Sequence, residues 1–218
     1  MSPWLHDQRV FWRQFRQHFH TTGSLAPSSR YLGRALARYV GKSPSPQRIL
    51  EVGPGTGAVT AQLVRSLRDG DQLDLIELND EFVRHLQRRF AHEPGFIEVA
   101  PRCRVLHQAL EDVQYDEPYD LVISGLPLNN FSVAVVEQIL AALKRLVRPG
   151  GTLSFFEYVA IRRARAVVSS RHERDRLQGI GHALAKVLVP YEVRRDYVLP
   201  NLPPACVHHV RWPVEPPC

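Results

Sequence analysis

The chain has 218 residues, enough for one compact domain and too few for two comfortable ones. At 44% hydrophobic and 23% charged residues, with no run of about 18 apolar residues, it reads as globular and excludes a transmembrane helix. The charge is uneven: residues 1–48 carry eight Arg or Lys and one acid (Asp7), residues 162–176 carry six Arg and two acids, and the remainder is acidic. Two basic segments on an acidic body point to a polyanionic partner, either nucleic acid or an anionic membrane, or else to two solvated helix faces.

In chain order, the first segment patterns as a helix over residues 3–20. Trp4, Leu5, Phe11, Trp12, Phe15 and Phe19 share one arc, with Arg9, Arg13 and Arg16 along its edge. The N-terminus has no apolar run, so a secretory leader is not expected. A second helix is expected over residues 30–40, capped by Ser28 or Ser29. The Pro/Ser stretch 42–47 then separates an N-terminal arm, residues 1–44, from a main domain, residues 45–218. From Arg48 strand and helix alternate. Strands are expected at 48–53, 73–78, 103–108, 119–128 and 152–159, the last after an Arg-Pro-Gly-Gly turn. Helices are expected at 58–67, 80–90 and 133–146. The apolar strand centres imply burial on both faces, hence a parallel sheet between helices. The arginine-rich stretch and residues 179–189 are helical. Residues 191–199 and 205–212 pair as a closing antiparallel hairpin, with His208 and His209 on opposite sides of an edge strand.

Glu51-Val-Gly53-Pro-Gly55-Thr-Gly57 lies between the first strand and a helix. Glycines there let the backbone turn tightly and approach a ligand that a Cβ would exclude. Twenty residues on, Glu77 ends the second strand, where a carboxylate can accept both hydroxyls of a ribose. In an open parallel sheet, ligands bind at the carboxyl ends of the strands. The segment Ser124-Gly125-Leu126-Pro127-Leu128 after the fourth strand therefore faces the same cleft. The cysteines at 103, 206 and 218 show no disulfide or zinc spacing, which fits a reducing cytoplasm. The histidines show no metal-binding spacing, and no metal is expected.

The glycine loop, the acidic strand end and the final hairpin resemble the class I S-adenosylmethionine-dependent methyltransferases over residues 45–212. The resemblance implies a three-layer, Rossmann-like α/β fold: a mostly parallel seven-stranded sheet with a C-terminal antiparallel hairpin, plus N-terminal helices. It implies S-adenosylmethionine as cofactor, leaving as S-adenosylhomocysteine. Gly53, Gly55 and Gly57 would wrap its methionine end, Glu51 belong to the same cofactor site, Glu77 hold the ribose and Leu78 pack on the adenine. Gln108 (or else Glu111 or Asp112) would bind the adenine amino group, and Ser124 would border the cofactor.

A narrower resemblance is to bacterial phospholipid N-methyltransferases, which methylate phosphatidylethanolamine. It rests on Ser124-Gly-Leu-Pro127 after an apolar strand, on Asn201-Leu-Pro203-Pro204-Ala205 in the hairpin, and on the aromatic, arginine-rich N-terminus leading into Gly23-Ser-Leu-Ala-Pro27. The implied activity is methyl transfer to a lipid head-group amine, up to three times toward phosphatidylcholine. The expected setting is a monomer on the inner face of the cell membrane, with an anionic surface and a phospholipid as partners and no obligatory nucleic acid. The carbonyls of Ser124, Gly125 and Leu126 would orient the amine and Tyr158 bind or deprotonate it. Glu157 alternates to the other strand face, so only one of the two should point into the site. Pro127 and Phe131 would shape the acceptor site, Phe131 offering a π-face to the methylated amine. Arg162, Arg163 and Arg165 would hold the lipid phosphate, because guanidinium pairs with phosphate bidentately. The rival classes are an rRNA adenine N6-methyltransferase, disfavoured by the missing aromatic after Pro127, a methyltransferase for ornithine lipid, and a non-catalytic binding module.

Overall fold

A computed structural model describes residues 30–114, 117–159 and 171–214. The helix expected over residues 3–20, and Arg162, Arg163 and Arg165, lie outside the described residues. Helix α1 (Arg30–Leu36) precedes β1 (Arg48–Val52), α2 (Thr60–Ser66), β2 (Gln72–Glu77), α3 (Asp80–His92) and the short α4 (Pro94–Ile97). Then come β3 (Cys103–His107), β4 (Tyr119–Ser124), α5 (Val133–Leu146), β5 (Val147–Tyr158), α6 (Arg171–Tyr191), β6 (Glu192–Val198) and β7 (Ala205–Arg211).

The strand order is β3-β2-β1-β4-β5-β7-β6. The first five strands run parallel to their neighbours, and β7 is antiparallel to both β5 and β6. Alternation along each strand divides the core into two layers. Leu50, Val52, Val122, Leu153 and Phe155 pack with α5 and α6 on one face. Ile49, Leu73, Leu75, Leu121, Ile123 and Phe156 pack with α1, α2 and α3 on the other. Leu32 and Leu36 of α1 are fully part of this second layer. Burial on both faces is why the strand centres read as continuous apolar runs.

Local chemistry fixes the helix starts. Asn79 caps α3 by accepting from the Glu81 N–H at 2.9 Å, and Ser132 caps α5 by accepting from Val135. Three boundaries differ from the sequence pattern. Strand β4 stops at Ser124, because Gly125 turns away to donate its N–H to the Val52 carbonyl at 2.8 Å. The Arg-Pro-Gly-Gly segment is a bulge within β5: Val147 pairs with Tyr119, and pairing resumes at Thr152 opposite Leu121. Helix α1 ends at Leu36, four residues early, and its chain leaves through turns to Gly41 at φ +67°.

The hairpin also corrects one expectation: β7 is an interior strand, and its two histidines are buried, at 2% and 0% exposure. They do alternate sides. On the α1 face, His209 Nδ1 lies 2.8 Å from Ser154 Oγ and its Nε2 lies 3.2 Å from Asp196, which also pairs with Arg38. On the α5–α6 face, His208 Nδ1 lies 2.5 Å from Glu192 and its Nε2 lies 3.4 Å from Glu157. Burial pulls the His208 imidazole down, but Cys206, Glu157 and Glu192 outweigh it and raise the pKa to about 10. The folded value thus lies above the ordinary 6.5, so this stabilisation is complete below pH 6.5 and is lost as pH rises toward 10. His208→Gln should therefore cost about 1.5–3 kcal/mol at or below neutral pH. Urea unfolding followed across that range should show the gap between wild type and variant closing on the alkaline side.

Candidate active site

The carboxyl ends of β1 and β4 meet backbone to backbone. A Cβ on Gly125 would stand 2.6 Å from the Gly53 carbonyl oxygen, and one on Gly53 would stand 2.6 Å from the Leu126 side chain. Gly53, Gly55 and Gly57 have φ of 70°, 57° and 79°, the left-handed region that favours glycine. Around Gly55 there is open space, whereas Gly57 is crowded from behind by Arg89 and Leu86. Arg89, on α3, donates to the carbonyls of Thr56 and Gly57 at 3.0 and 2.7 Å, pairs with Glu93 through two nitrogens and lies over the Phe96 ring. The loop is thus shaped in front for close approach of a ligand and fixed behind by a guanidinium.

A cleft of about 440 Å³, including the part open to solvent, runs along these strand ends. Gly53, Glu77, Leu78, Gln108, Glu111, Leu126 and Phe131 are among the residues that line it. The sequence expectations for Gly53, Glu77, Leu78, Gln108, Leu126 and Phe131 therefore converge on one space. Glu77 accepts from the N–H of Gly55 at 3.0 Å on one oxygen and of Asn79 at 2.8 Å on the other, which aims its carboxylate across the loop. Its burial pushes the carboxyl upward despite those bonds.

Glu51 sits deeper. Its Oε2 accepts from the Thr60 hydroxyl at 2.7 Å, and its buried Oε1 has no partner among the described residues. Desolvation raises its pKa to about 8. An orphaned buried carboxylate oxygen beneath a glycine loop suits a ligand that brings a positive charge, and Glu77 suits a diol. S-adenosylmethionine has both, an α-ammonium and a ribose, so the residues fit the cofactor.

Other expected site residues are placed elsewhere. Ser124 is fully buried and its hydroxyl accepts from its own loop's Leu126 N–H at 3.3 Å. Gly125 contributes backbone only, and Pro127 is not among the residues lining the cleft. Tyr158 is not there either. Strand alternation puts it in the α1–α3 layer, edge-on to Phe156 at 5.1 Å, where burial raises its phenol. Glu157 takes the other face and is engaged by His208. Two residues that sequence reasoning passed over matter here. Arg89 braces the glycine loop, and Asn129 is buried with neither end of its side-chain amide partnered among the described residues. An Arg at a helix position and an Asn in a turn give no local signal of these placements.

Glu77→Ala should weaken S-adenosylhomocysteine binding about tenfold or more in calorimetric titration, since each hydrogen bond to a charged group contributes about 1.5–3 kcal/mol. Glu51 yields a pH test. Its folded value of about 8 lies above the ordinary 4.5, so the ligand-free protein loses stability as pH rises through that window. The melting temperature of the free protein should fall across it, S-adenosylhomocysteine should reduce the fall, and Glu51→Gln should remove it.

Residues 49–151 match a family model described as a methyltransferase domain. The ornithine lipid N-methyltransferase of Singulisphaera acidiphila is 29% identical over 148 residues, 68% of this chain and 76% of that protein. Ribosomal RNA small subunit methyltransferase A of Pseudomonas syringae is 37% identical over 89 residues, but these are 38% of this chain and 29% of that one. Among solved structures, an O-methyltransferase from Streptomyces achromogenes in complex with S-adenosylmethionine superposes with a TM-score of 0.66 at 18% identity, over 93% of this chain and 89% of that chain. At that identity the likeness establishes the fold, whose mostly parallel sheet and antiparallel hairpin match the architecture above. Residues 49–151 thus match a methyltransferase domain, and the relatives and the fold together support an S-adenosylmethionine-dependent methyltransferase.

Proposed function

We propose that this enzyme methylates the head-group amine of an aminolipid, phosphatidylethanolamine, at an anionic membrane surface. The observation that carries the reading is the loop after β4. It meets the cleft with Leu126 and Phe131, while Leu128, which directly follows Pro127, is buried at 1% exposure in the apolar layer. A flipped adenine would stack on an aromatic directly after Pro127, where this loop has Leu128. A small aliphatic amine needs no such partner. Ornithine lipid is a second acceptor, favoured by the relative that spans 68% of the chain.

The chemistry follows from the lining. A lipid amine with a pKa near that of Lys, about 10, is cationic in water and has no free lone pair. Leu126, Phe131 and Ile139 present apolar surface, and burial against it disfavours the ammonium and selects the neutral amine. The proton leaves to water on entry. S-adenosylmethionine, when bound, supplies an electrophilic methyl group. Glu77 and the glycine loop orient one reactant and the β4 loop the other, and such positioning supplies a large part of rate enhancement. Exclusion of water by Val52, Leu126, Phe131 and Ile139 protects the sulfonium from hydrolysis.

Membrane docking rests on the N-terminal sequence, where two Trp and three Phe coincide with Arg9, Arg13 and Arg16. Aromatic side chains favour the head-group boundary, and each Arg near an anionic surface contributes about 1 kcal/mol, screened by salt. The test uses labelled S-adenosylmethionine with phosphatidylethanolamine or ornithine lipid in phosphatidylglycerol vesicles, and with rRNA. Label should enter the phosphatidylethanolamine, and the protein should sediment with these vesicles at low salt and less at high salt. Label in ornithine lipid alone moves the assignment to the second acceptor. Label in RNA alone overturns it.

A further inference from the structure

We propose that the tip of the β6–β7 hairpin, residues 199–204, is a membrane contact: it enters the acyl boundary of an anionic bilayer and holds the cleft at the depth of the lipid head groups. The inference rests on the aminolipid reading and names the face of the domain that meets the lipid. Leu199 and Leu202 are 72% and 78% exposed, and Tyr197 at the end of β6 is 63% exposed. The tip reads Leu-Pro-Asn-Leu-Pro-Pro and carries no charge. Pro200, Pro203 and Pro204 have no N–H to strip of water. Asn201 is buried, its Nδ2 donating to the Pro203 carbonyl at 2.7 Å and its N–H to that of Val198 at 3.4 Å. Two leucines are thus displayed on a turn whose polar donors are mostly absent or already paired, so moving it from water into an interface desolvates little.

The strand register sets where the tip stands. Strands β1 and β4 end at Val52 and Ser124, level with Phe155 of β5. Strand β5 runs on from there to Tyr158, which pairs with Ala205, and Ala205 pairs with Val198. At about 3.3 Å per residue, the hairpin begins its turn about 10 Å beyond the strand ends that carry the cofactor loop. The polar layer on each side of a bilayer is about 5–8 Å deep. A tip seated at the acyl boundary therefore puts the mouth of the cleft at the level of the head-group amines. Charge at this edge has the sign an anionic surface needs. Helix α6 starts here, since its Arg176 reaches the β4 loop, and its Arg171 and Arg174 are exposed. The acids beside them are Asp175, which is exposed, and Glu173, which Arg176 engages. The chain leaves β5 next to the tip, where the Val159 N–H donates to the Pro204 carbonyl at 3.0 Å. The sequence from there to Arg171 holds Arg162, Arg163 and Arg165 and no acid. Exposed apolar side chains bordered by cations are the composition of an interfacial lipid contact.

The test separates docking from catalysis. The double variant Leu199→Ser/Leu202→Ser should bind S-adenosylhomocysteine as wild type does. It should bind vesicles of phosphatidylglycerol and phosphatidylethanolamine about tenfold more weakly in sedimentation, and lose a similar factor in kcat/KM on the phosphatidylethanolamine they contain. On a short-chain phosphatidylethanolamine dissolved as monomers it should keep the wild-type kcat/KM, because no surface has to be reached. Val189→Ser is the control: Val189 is also exposed, but it lies near the end of α6, which leads directly into the start of β6 at the opposite edge of the sheet, and the variant should match wild type throughout. Leu202→Trp should tighten vesicle binding, since Trp favours the head-group boundary, and it keeps the question decidable if the Ser pair does not fold. Unchanged vesicle binding in both tip variants, or an equal loss on monomeric and vesicular lipid, overturns the proposal. A Ser pair that docks as wild type does but no longer self-associates in analytical ultracentrifugation assigns the tip to a second copy of the chain and overturns it too. The two levels fail separately. A wild type that neither sediments with vesicles nor labels an aminolipid removes the aminolipid reading and this one with it, whereas a wild type that docks and labels lipid beside an equally docking Ser pair removes only the tip.

Discussion

Two loops meet with only backbone between them, and the rest of the site depends on that contact. Gly125 donates to the Val52 carbonyl and leaves no room for a Cβ against Gly53. This closeness brings the end of β4 beside the end of β1, so the group that binds cofactor and the group that faces the acceptor share one wall. A side chain at either glycine would part the strands' ends by a large fraction of a methyl diameter. Reacting atoms must sit about 3–3.5 Å apart to benefit from positioning, so such a displacement matters more here than in a packed core. Leu126 occupies the space over Gly53, which makes the apolar wall of the cleft a direct product of that missing Cβ.

Behind this contact stands a second layer of charged groups whose function is mechanical. Arg89 reaches from α3 to hold two carbonyls of the glycine loop, and Arg176 reaches from α6 to hold two carbonyls of the β4 loop. Each guanidinium is itself gripped by a glutamate three or four residues away on its own helix or just past it. Neither arginine lines the cleft. Both loops are thereby tied to helices through multiple charge-assisted bonds, which are stronger and more directional than single neutral ones.

Much of this was legible in the sequence. Glycine spacing and the acidic strand end are local features whose meaning does not depend on what packs around them, so the left-handed turn at Gly53 and Gly55 and the position of Glu77 beside it were readable. The alternation of β5 was legible too, but parity alone says only that Glu157 and Tyr158 face opposite ways. It does not say which face opens on the cleft, and here Tyr158 packs toward α1 while Glu157 serves His208. Strand order was hidden for a related reason. A hairpin read from sequence gives two antiparallel neighbours and leaves open which of them is inserted beside β5. The histidines therefore looked like surface residues, whereas β7 takes them into the sheet's interior with acidic partners on both faces. Arg89 and Arg176 were silent because the carbonyls they hold lie far away in the chain.

The interior placement of β7 has a consequence for synthesis of the chain. Strand β5 acquires its second neighbour only from Ala205–Arg211, which follows it by nearly fifty residues and comes after β6. Until that segment has emerged, a nascent sheet ends at β5 with its backbone N–H and carbonyl groups open and its flanking rows, Phe155 and Phe156 among them, incompletely covered. An exposed edge of that kind is a template for pairing with another chain. Premature termination or proteolysis between residues 158 and 205 would leave the cofactor loop intact in sequence. The resulting fragment would nonetheless be adhesive, and quality control would meet it as an aggregation hazard more than as a damaged enzyme.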